Sequence, residues 1–366
     1  MNTTDICIVG AGFSGLYLAS LLSSTCTVLV LDKKRNVGEP PHCTGLVSSK
    51  TIKRMGKVAL ETIESKYHEI HFIDLDNKET ILVAKLQEEV YKLNRIVLEK
   101  LLAIQAISNG AQFKFKSKVV EVGIEGKIKL CRDTIKCRLV VIAEGSTQLL
   151  TKKLGLGYVK DRIIGIQHYI PKESKIKDEK FYVLIGNHID PEFFGWAVPV
   201  RNLVLIGIGG KYGKVRTTKL RNLTNELVRL RIARKAELSN VFGGIILRGP
   251  PLSRVSKGRI IVIGDASGYT KPVTGGGLDP ISRQINILHE IIRYNDIENV
   301  PLLYEEKIKS LYKELRKSRI IHTILKYIGY TQIVRFASKF FGGEIYISDY
   351  DNHLRALVSL FSEVFK

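Results

Sequence analysis

The sequence contains no uninterrupted apolar stretch near about 18 residues, so no membrane-spanning helix is expected. Its first apolar run begins at Asp5 without a basic leader and does not read as a secretory signal, so a cytoplasmic protein is expected. Cysteine is sparse as well. Cys7, Cys26, Cys43, Cys131 and Cys137 include no C-x-x-C pair, which argues against zinc and against a dithiol redox centre, and no metal site is expected. Cys131 and Cys137 flank a hairpin pattern closely enough for a cross-strand disulfide, although free thiols are the expectation. No Ser-His-Asp arrangement is present, and Trp196 is the one tryptophan. Acidic residues are outnumbered, 36 Asp and Glu against 57 Lys and Arg, leaving a net charge of +21. Three explanations stand side by side: a general Lys and Ile bias, attraction to anionic lipid head groups, or nucleic-acid binding. The last has no motif with interleaved aromatics behind it, and no nucleic-acid partner is expected. The 366 residues are 45% hydrophobic, enough to bury a large core in two closely packed domains plus a tail.

Two distant segments ask for the same ligand. Asp5 to Leu22 reads as a buried strand, a glycine turn and a helix, with Gly10, Gly12 and Gly15 in the G-x-G-x-x-G spacing that brings backbone amides and a helix N-terminus to a pyrophosphate. Asp32 ends the next apolar strand, Thr27 to Leu31, near where a carboxylate would accept from an adenosine ribose. This combination favours FAD or NAD over a mononucleotide. Such a turn also arises merely to join a strand to a helix, and the second segment weighs against that reading. There an apolar strand runs into Gly264 and Asp265, followed by Gly275, Gly276 and Gly277, where bare backbone can lie against a flat ring system. Asp279 and Pro280 read as N-cap and first residue of a helix continuing through Ile281 to Ile292. Its positive end would favour an anion such as a reduced flavin, so flavin is inferred over nicotinamide.

The chain at this point resembles the archaeal geranylgeranyl reductases, within the flavoproteins built like p-hydroxybenzoate hydroxylase. The resemblance runs through most of the chain, on the N-terminal fingerprint, GEPPHCTGLVS (Gly38 to Ser48), YKLNRIVLEKLL (Tyr91 to Leu102), LVVIAEGS (Leu139 to Ser146), FFGWAVPV (Phe193 to Val200) and GDASGYTKPVTGGGL, in the family's order. It implies an α/β fold, a Rossmann-like FAD-binding domain interleaved with an antiparallel-sheet substrate domain, plus a C-terminal helical region. The expected division is 1–60, 86–160 and 252–300 for FAD, 61–85 and 161–251 for a substrate lid, and 301–366 for the helical region.

The resemblance also places residues. It sets Cys43, Thr44 and Gly45 along the flavin, where this chain has Cys-Thr-Gly-Leu in place of a common Cys-Gly-Glu-Gly, so no role of that glutamate transfers. Cys43 then either relays a proton or is a small packing residue. Arg95, read alone as a solvated helix residue, matches an arginine that reaches the ribityl and phosphate region. Val119 sits on the strand, Lys118 to Val122, whose backbone meets the adenine, Glu144 closes a structural turn, and Asp265 with Gly275, Gly276, Gly277 and Leu278 belongs to the ring-side motif. Strand patterns over Ile163 to Tyr169, Lys180 to Ile185, Phe193 to Val200, Leu203 to Gly209 and Val241 to Arg248, with a helix near Lys219 to Ile232, suggest an antiparallel sheet. Phe193, Phe194, Trp196 and Pro199 either fill its core or wall an apolar substrate pocket.

In the tail, Ile308, Leu311, Tyr312 and Leu315 mark one amphipathic helix and Ile321, Ile324, Leu325 and Ile328 a second, with a basic run between them. The pair serves either as a helical cap or as a peripheral membrane contact. The function the resemblance implies is FAD-dependent saturation of isoprenoid C=C bonds in geranylgeranyl lipids by hydride transfer from N5 of the reduced flavin, the proton being supplied separately. An isolated alkene offers side chains little polarity, so loose chain-length specificity is expected. No second G-x-G-x-x-G marks a nicotinamide domain, so electrons come from transiently bound NAD(P)H or a ferredoxin-like redox donor protein. An FAD-dependent monooxygenase or halogenase of the same fold, and a non-catalytic flavin-containing lipid carrier, are the rival readings.

Overall fold

The computed structural model describes residues 4–177 and 179–352. The first apolar run is strand β1 (Thr4–Val9), which leads through the glycine turn into α1 (Phe13–Leu22) and on to β2 (Val28–Leu31). β1 and β2 pair in parallel, Ile6 opposite Val28 through Val9 opposite Leu31. α1 is apolar on nearly every side and is accordingly buried on nearly every side. Next come β3 (Leu46–Ser48), α2 (Ser49–Met55), α3 (Lys57–Leu60), the long strands β4 (Ile63–Asp74) and β5 (Glu79–Leu93), and α4 (Arg95–Ser108). Ser48 caps α2 by accepting from the Thr51 amide at 3.2 Å, and Asn94 caps α4 by accepting from the Val97 amide at 3.1 Å.

The chain then builds β6 (Gln112–Lys114), β7 (Val119–Val122), β8 (Lys127–Leu130), β9 (Thr134–Ile142) and α5 (Leu149–Lys153). A strand-rich stretch follows: β10 (Arg162–Pro171), β11 (Lys180–Ile185), β12 (Gly195–Val200), β13 (Leu203–Gly210), α6 (Thr217–Arg229) and β14 (Phe242–Leu247). Last are β15 (Ser256–Lys257), β16 (Ile260–Val262), α7 (Leu278–Tyr294), α8 (Val300–Lys307), α9 (Lys309–Ile328), α10 (Tyr330–Phe340) and β17 (Glu344–Ile347).

Two sheets result. The first runs β15-β16-β9-β1-β2-β6, with β8 paired to β9 and β7 to β8, and its middle strands are parallel. Its core forms where α1, α4 and α7 pack over Ile6, Ile8 and Val30. The second runs β14-β10-β13-β12-β11-β4-β5-β17, with β3 on β5. β12 is buried at all six positions, as expected for a strand with packing on both faces.

The structure departs from the sequence expectations in three places. The second sheet is not purely antiparallel: β11 pairs in parallel with β4, Lys180 opposite Glu69 through Ile185 opposite Asp74, because β4 arrives from an earlier segment rather than through a hairpin. α7 begins at Leu278 with Gly277 at the cap, so Asp279 is not the N-cap. Its carboxylate lies in the first turn and accepts from Arg54 Nη1 at 2.8 Å, held by an ion pair that a local helix-start pattern does not contain. The two tail patterns belong to one helix, since no Gly or Pro interrupts the chain before Gly329. Leu311, Leu315 and Leu325 face inward, whereas Ile324 and Ile328 point out. The C-terminal region is helical as expected, α8 to α10, followed by β17, which adds to the edge of β5 in parallel, Glu344 opposite Val83; residues 353–366 of the expected 301–366 region lie outside the described residues.

Candidate functional site

The C-terminal ends of β1, β2 and β9 converge where the glycine turn must be tight. Gly10 has φ +118°, and a Cβ there would sit 2.2 Å from the Ala143 carbonyl oxygen, so this crossing accepts only glycine. Gly15 is placed by the same packing: a Cβ would meet the Gly10 oxygen at 1.9 Å. It brings α1 against the turn and does not line the cavity described below. Asp32 closes the turn from β2, its carboxylate accepting from the Ala11 amide at 2.6 Å and the Lys34 amide at 2.7 Å. From the other end of the chain, Gly264 has φ +68° and lies so close to α1 that a Cβ would approach Ser14 Oγ at 2.4 Å. The two distant glycine motifs thus form one cradle.

A cavity of about 930 Å³ opens from this cradle toward the second sheet. Gly10, Gly12, Asp32 and Val119 lie along its first part, and Cys43, Thr44, Gly45, Arg95, Asp265, Gly275, Gly276, Gly277 and Leu278 along its middle. Arg95, the first residue of α4, is buried rather than solvated. Its Nη2 donates to Glu99 Oε1 at 2.6 Å, its guanidinium lies 5.2 Å from the Phe13 ring centre, and it bonds the Cys43 side chain. Burial opposes its charge, but Cys43 and Glu99 outweigh burial and hold the guanidinium above its ordinary value. Its Nε finds no partner among the described residues. Burial pushes the Asp265 carboxyl up, against the pull of His42 and Arg95. Glu144 has the structural role expected: its carboxylate accepts from the amides of Leu149, Leu150 and Thr151 and starts α5.

The far part of the cavity is apolar. Phe193 and Phe194 stack at 4.2 Å, Phe194 meets Trp196 edge-on at 6.5 Å, and Tyr330 tilts against Phe194 at 5.6 Å. These rings fit because β13 offers glycines beneath them: a Cβ on Gly207 would fall 2.1 Å from Trp196, and one on Gly209 2.4 Å from Phe193. Phe193, Phe194 and Trp196 line the cavity and are core at the same time. Pro199 does not line it; the strand carries it to the opposite end of β12, where its carbonyl accepts from the Tyr67 hydroxyl at 2.6 Å.

Three contributors had no local sequence signal. Gln167 Oε1 accepts from both Thr44 Oγ1 and Trp196 Nε1 at 3.0 Å, joining the 38–48 loop to the aromatic wall. Tyr330, at the start of α10, donates to the Val273 carbonyl and fixes the glycine-rich segment. The chain after β17 returns as Asp349 and Tyr350 in the lining, anchored by Asp351, whose carboxylate contacts Lys271, Ser48 and Thr51. The five cysteines are free thiols, and no His, Cys, Asp and Glu group among the described residues has a metal-binding arrangement. No helix of the described residues is long and apolar enough to cross a membrane.

The donor set suits FAD. Bare backbone at Gly12, where a Cβ would meet no protein atom within 4 Å, faces the cavity beside the N-terminus of α1. The unpartnered Arg95 Nε offers a charged donor farther along. A family model described as FAD binding domain matches residues 3–280. The digeranylgeranylglycerophospholipid reductase of Methanococcus vannielii is 25% identical over 286 residues, covering 75% of this chain and 73% of that protein. The crystal structure of a geranylgeranyl bacteriochlorophyll reductase-like protein from Thermoplasma acidophilum superimposes with TM-score 0.83 at 18% identity, over 99% of this chain and 96% of that one. PqsL of Pseudomonas aeruginosa, described as a probable FAD-dependent monooxygenase, gives TM-score 0.70 at 16% identity, over 93% of this chain and all (100%) of that one. The two solved structures share the fold.

Proposed function

Because the chain belongs to the FAD-binding-domain family and is an FAD-dependent oxidoreductase, we propose that it saturates isoprenoid C=C bonds of a geranylgeranyl lipid. The observation that carries this reading is the continuity of the cavity: a cradle suited to FAD opens directly onto a wall of Phe193, Phe194, Trp196 and Tyr330. That wall is suited to a hydrocarbon and poor in groups that would orient a polar substrate. Reduced FAD, when bound, supplies the hydride equivalent; its electrons come from an external donor, NAD(P)H or a ferredoxin-like protein.

The remaining work falls to the chain. Gly10, Gly12 and the N-terminus of α1 hold the pyrophosphate, Asp32 and Val119 bound the adenosine end, and Gly15 keeps the turn tight. Arg95 holds the ribityl and phosphate region, and Asp265 meets the flavin from the ring-side motif. Backbone at Gly45, Gly275, Gly276, Gly277 and Leu278, with Thr44, lies along the ring. The segments 1–60, 86–160 and 252–300 act as the cofactor half and 61–85 with 161–251 as the substrate half. The apolar wall excludes water and keeps the alkene in register, the main contribution available when the substrate has no polar handle. Cys43, between Arg95 and the ring-side glycines, holds the proton. The substrate resides in a membrane, so the protein works at a bilayer surface.

The test is anaerobic. The purified FAD-loaded protein, reduced with dithionite and given a geranylgeranyl lipid, should yield products heavier by whole pairs of hydrogens in mass spectrometry. A product that gains oxygen, formed only with O2 and NAD(P)H, would establish the monooxygenase of this fold instead. In the same assay Cys43→Ala should retain its flavin and lose roughly a hundredfold in turnover, the scale of a missing general acid. Unchanged turnover would return Cys43 to a packing role.

A further inference from the structure

We propose that the outward faces of α9 and α10 form a docking surface for anionic lipid bilayers. The lipid substrate proposed above gives this surface its purpose. On α9 the side against the body is Leu311, Leu315, Ser318, His322 and Leu325, all buried and spaced alternately by four and three residues. The opposite side is sorted along the helix axis. Its first half carries Lys309, Lys313, Arg316 and Lys317, all exposed. Its second half carries Ile320, Ile324, Tyr327 and Ile328, which are 65%, 49%, 85% and 55% exposed. A helix that merely capped the body would be polar on that side. After the break at Gly329, α10 continues the apolar half with Phe336 and Phe340, exposed and stacked at 5.7 Å. The inward side of α10 contributes Tyr330 and Val334 to the cavity lining. Large apolar side chains therefore stand outside a wall whose inner surface is the cavity itself.

Charge identifies the occupant. The only acidic residue in α9 and α10 is Glu314, and Arg283 holds it through two bonds of 2.7 Å. Arg335 is taken up by Asp74 and Asp76, and Arg319 and Lys326 by Asp161. Lys309, Lys313, Arg316, Lys317 and Lys339 have no such carboxylate among the described residues. An apolar end beside uncompensated cations fits acyl chains lying beneath anionic head groups. It fits poorly to a second copy of a chain carrying +21, which would bring like charges together. Seated this way, the bilayer meets α10, whose inward side lines the apolar end of the cavity.

The holoprotein is sedimented with vesicles of phosphatidylcholine alone and of phosphatidylcholine with phosphatidylglycerol, both free of isoprenoid lipid. Binding to the mixed vesicles, weakened by salt, is expected. The double variant Ile324→Glu, Tyr327→Glu should bind them at least about tenfold more weakly, with unchanged flavin absorbance and melting temperature. Equal binding of variant and parent overturns the proposal. So does a parent dimer in sedimentation velocity that the variant dissolves, because a second copy would then cover the face. No substrate enters this measurement, so a failed hydrogenation assay leaves its result intact, and lost vesicle binding leaves the reductase reading intact.

Discussion

Arg95 combines a visible role in folding with the cofactor contact proposed for it. Its guanidinium neutralises buried Glu99, packs on Phe13 and keeps one N–H donor without a partner among the described residues. Replacing it by an apolar residue would strand the Glu99 carboxylate, at a cost of about 3 to 5 kcal/mol, and mix the two roles. Arg95→Lys separates them, because lysine keeps the charge and loses the planar fork. The variant should melt close to the parent, yet bind FAD about tenfold more weakly when the apoprotein is titrated and flavin fluorescence followed; unchanged affinity would remove Arg95 from the cofactor's contacts. Residues of this kind were legible as positions and illegible as contacts. The spacing of Gly10, Gly12 and Gly15 announced a turn, but only the fold shows that Gly15 serves the turn from behind and that Pro199 lies at the far end of its strand. Gln167, Tyr330 and Tyr350 carry no local signature, since each acts through partners far away in sequence. Tyr350, whose phenol burial pushes well up, enters the lining only because β17 returns the chain to the cavity.

At the scale of elements, α9 is fastened to the second sheet by a buried ion cluster. Asp161 receives Arg248 at 2.7 Å, Arg319 at 3.1 Å and His322 at 3.2 Å, and Arg248 also reaches Glu192. Burial alone would raise the Asp161 carboxyl, but His322, Arg248 and Arg319 outweigh it and hold the group far below its usual range. Burial also lowers His322, in spite of Asp161. Both folded values are depressed, so both contributions are present above the ordinary values and lost as pH falls. The His322 part fades below about pH 6.5 and the Asp161 part only below about pH 3.9. The melting temperature should therefore begin to fall on acidification before the Asp161 carboxylate titrates. His322→Gln should flatten the segment between about pH 6.5 and 5, and an identical profile in parent and variant would exclude His322 as its source. The helix itself was readable from its apolar spacing, but its length was not. The basic run between the two apolar patterns lies on a continuous helix, a fact set by the absence of a breaker before Gly329.

For the whole molecule, the decisive feature is that the cofactor cradle has no single owner. Ser14 and Gly264 touch across about two-thirds of the chain, Gly45 lies against the Leu93 carbonyl, and Tyr330 holds the segment leading into Gly275, Gly276 and Gly277 through the Val273 carbonyl. The fold class was readable because each glycine motif is local; the closure was not, because it depends on loops whose backbone conformation is set by distant partners. A ligand bridging all of them binds the folded state and has little to hold in the unfolded one, so its free energy becomes stability. At FAD concentrations about a hundredfold above the dissociation constant the gain is about 2.7 kcal/mol. For a chain of 366 residues that corresponds to a rise of roughly 3 to 4 °C in melting temperature. Stripping FAD should lower the melting point by that amount and expose the 38–48 and 270–277 loops to protease together, with re-addition of FAD restoring both. If only one loop became sensitive, or if FAD removal left the melting point in place, the segments would not be acting as one cradle, and the cofactor would have to sit in a site assembled before it arrives.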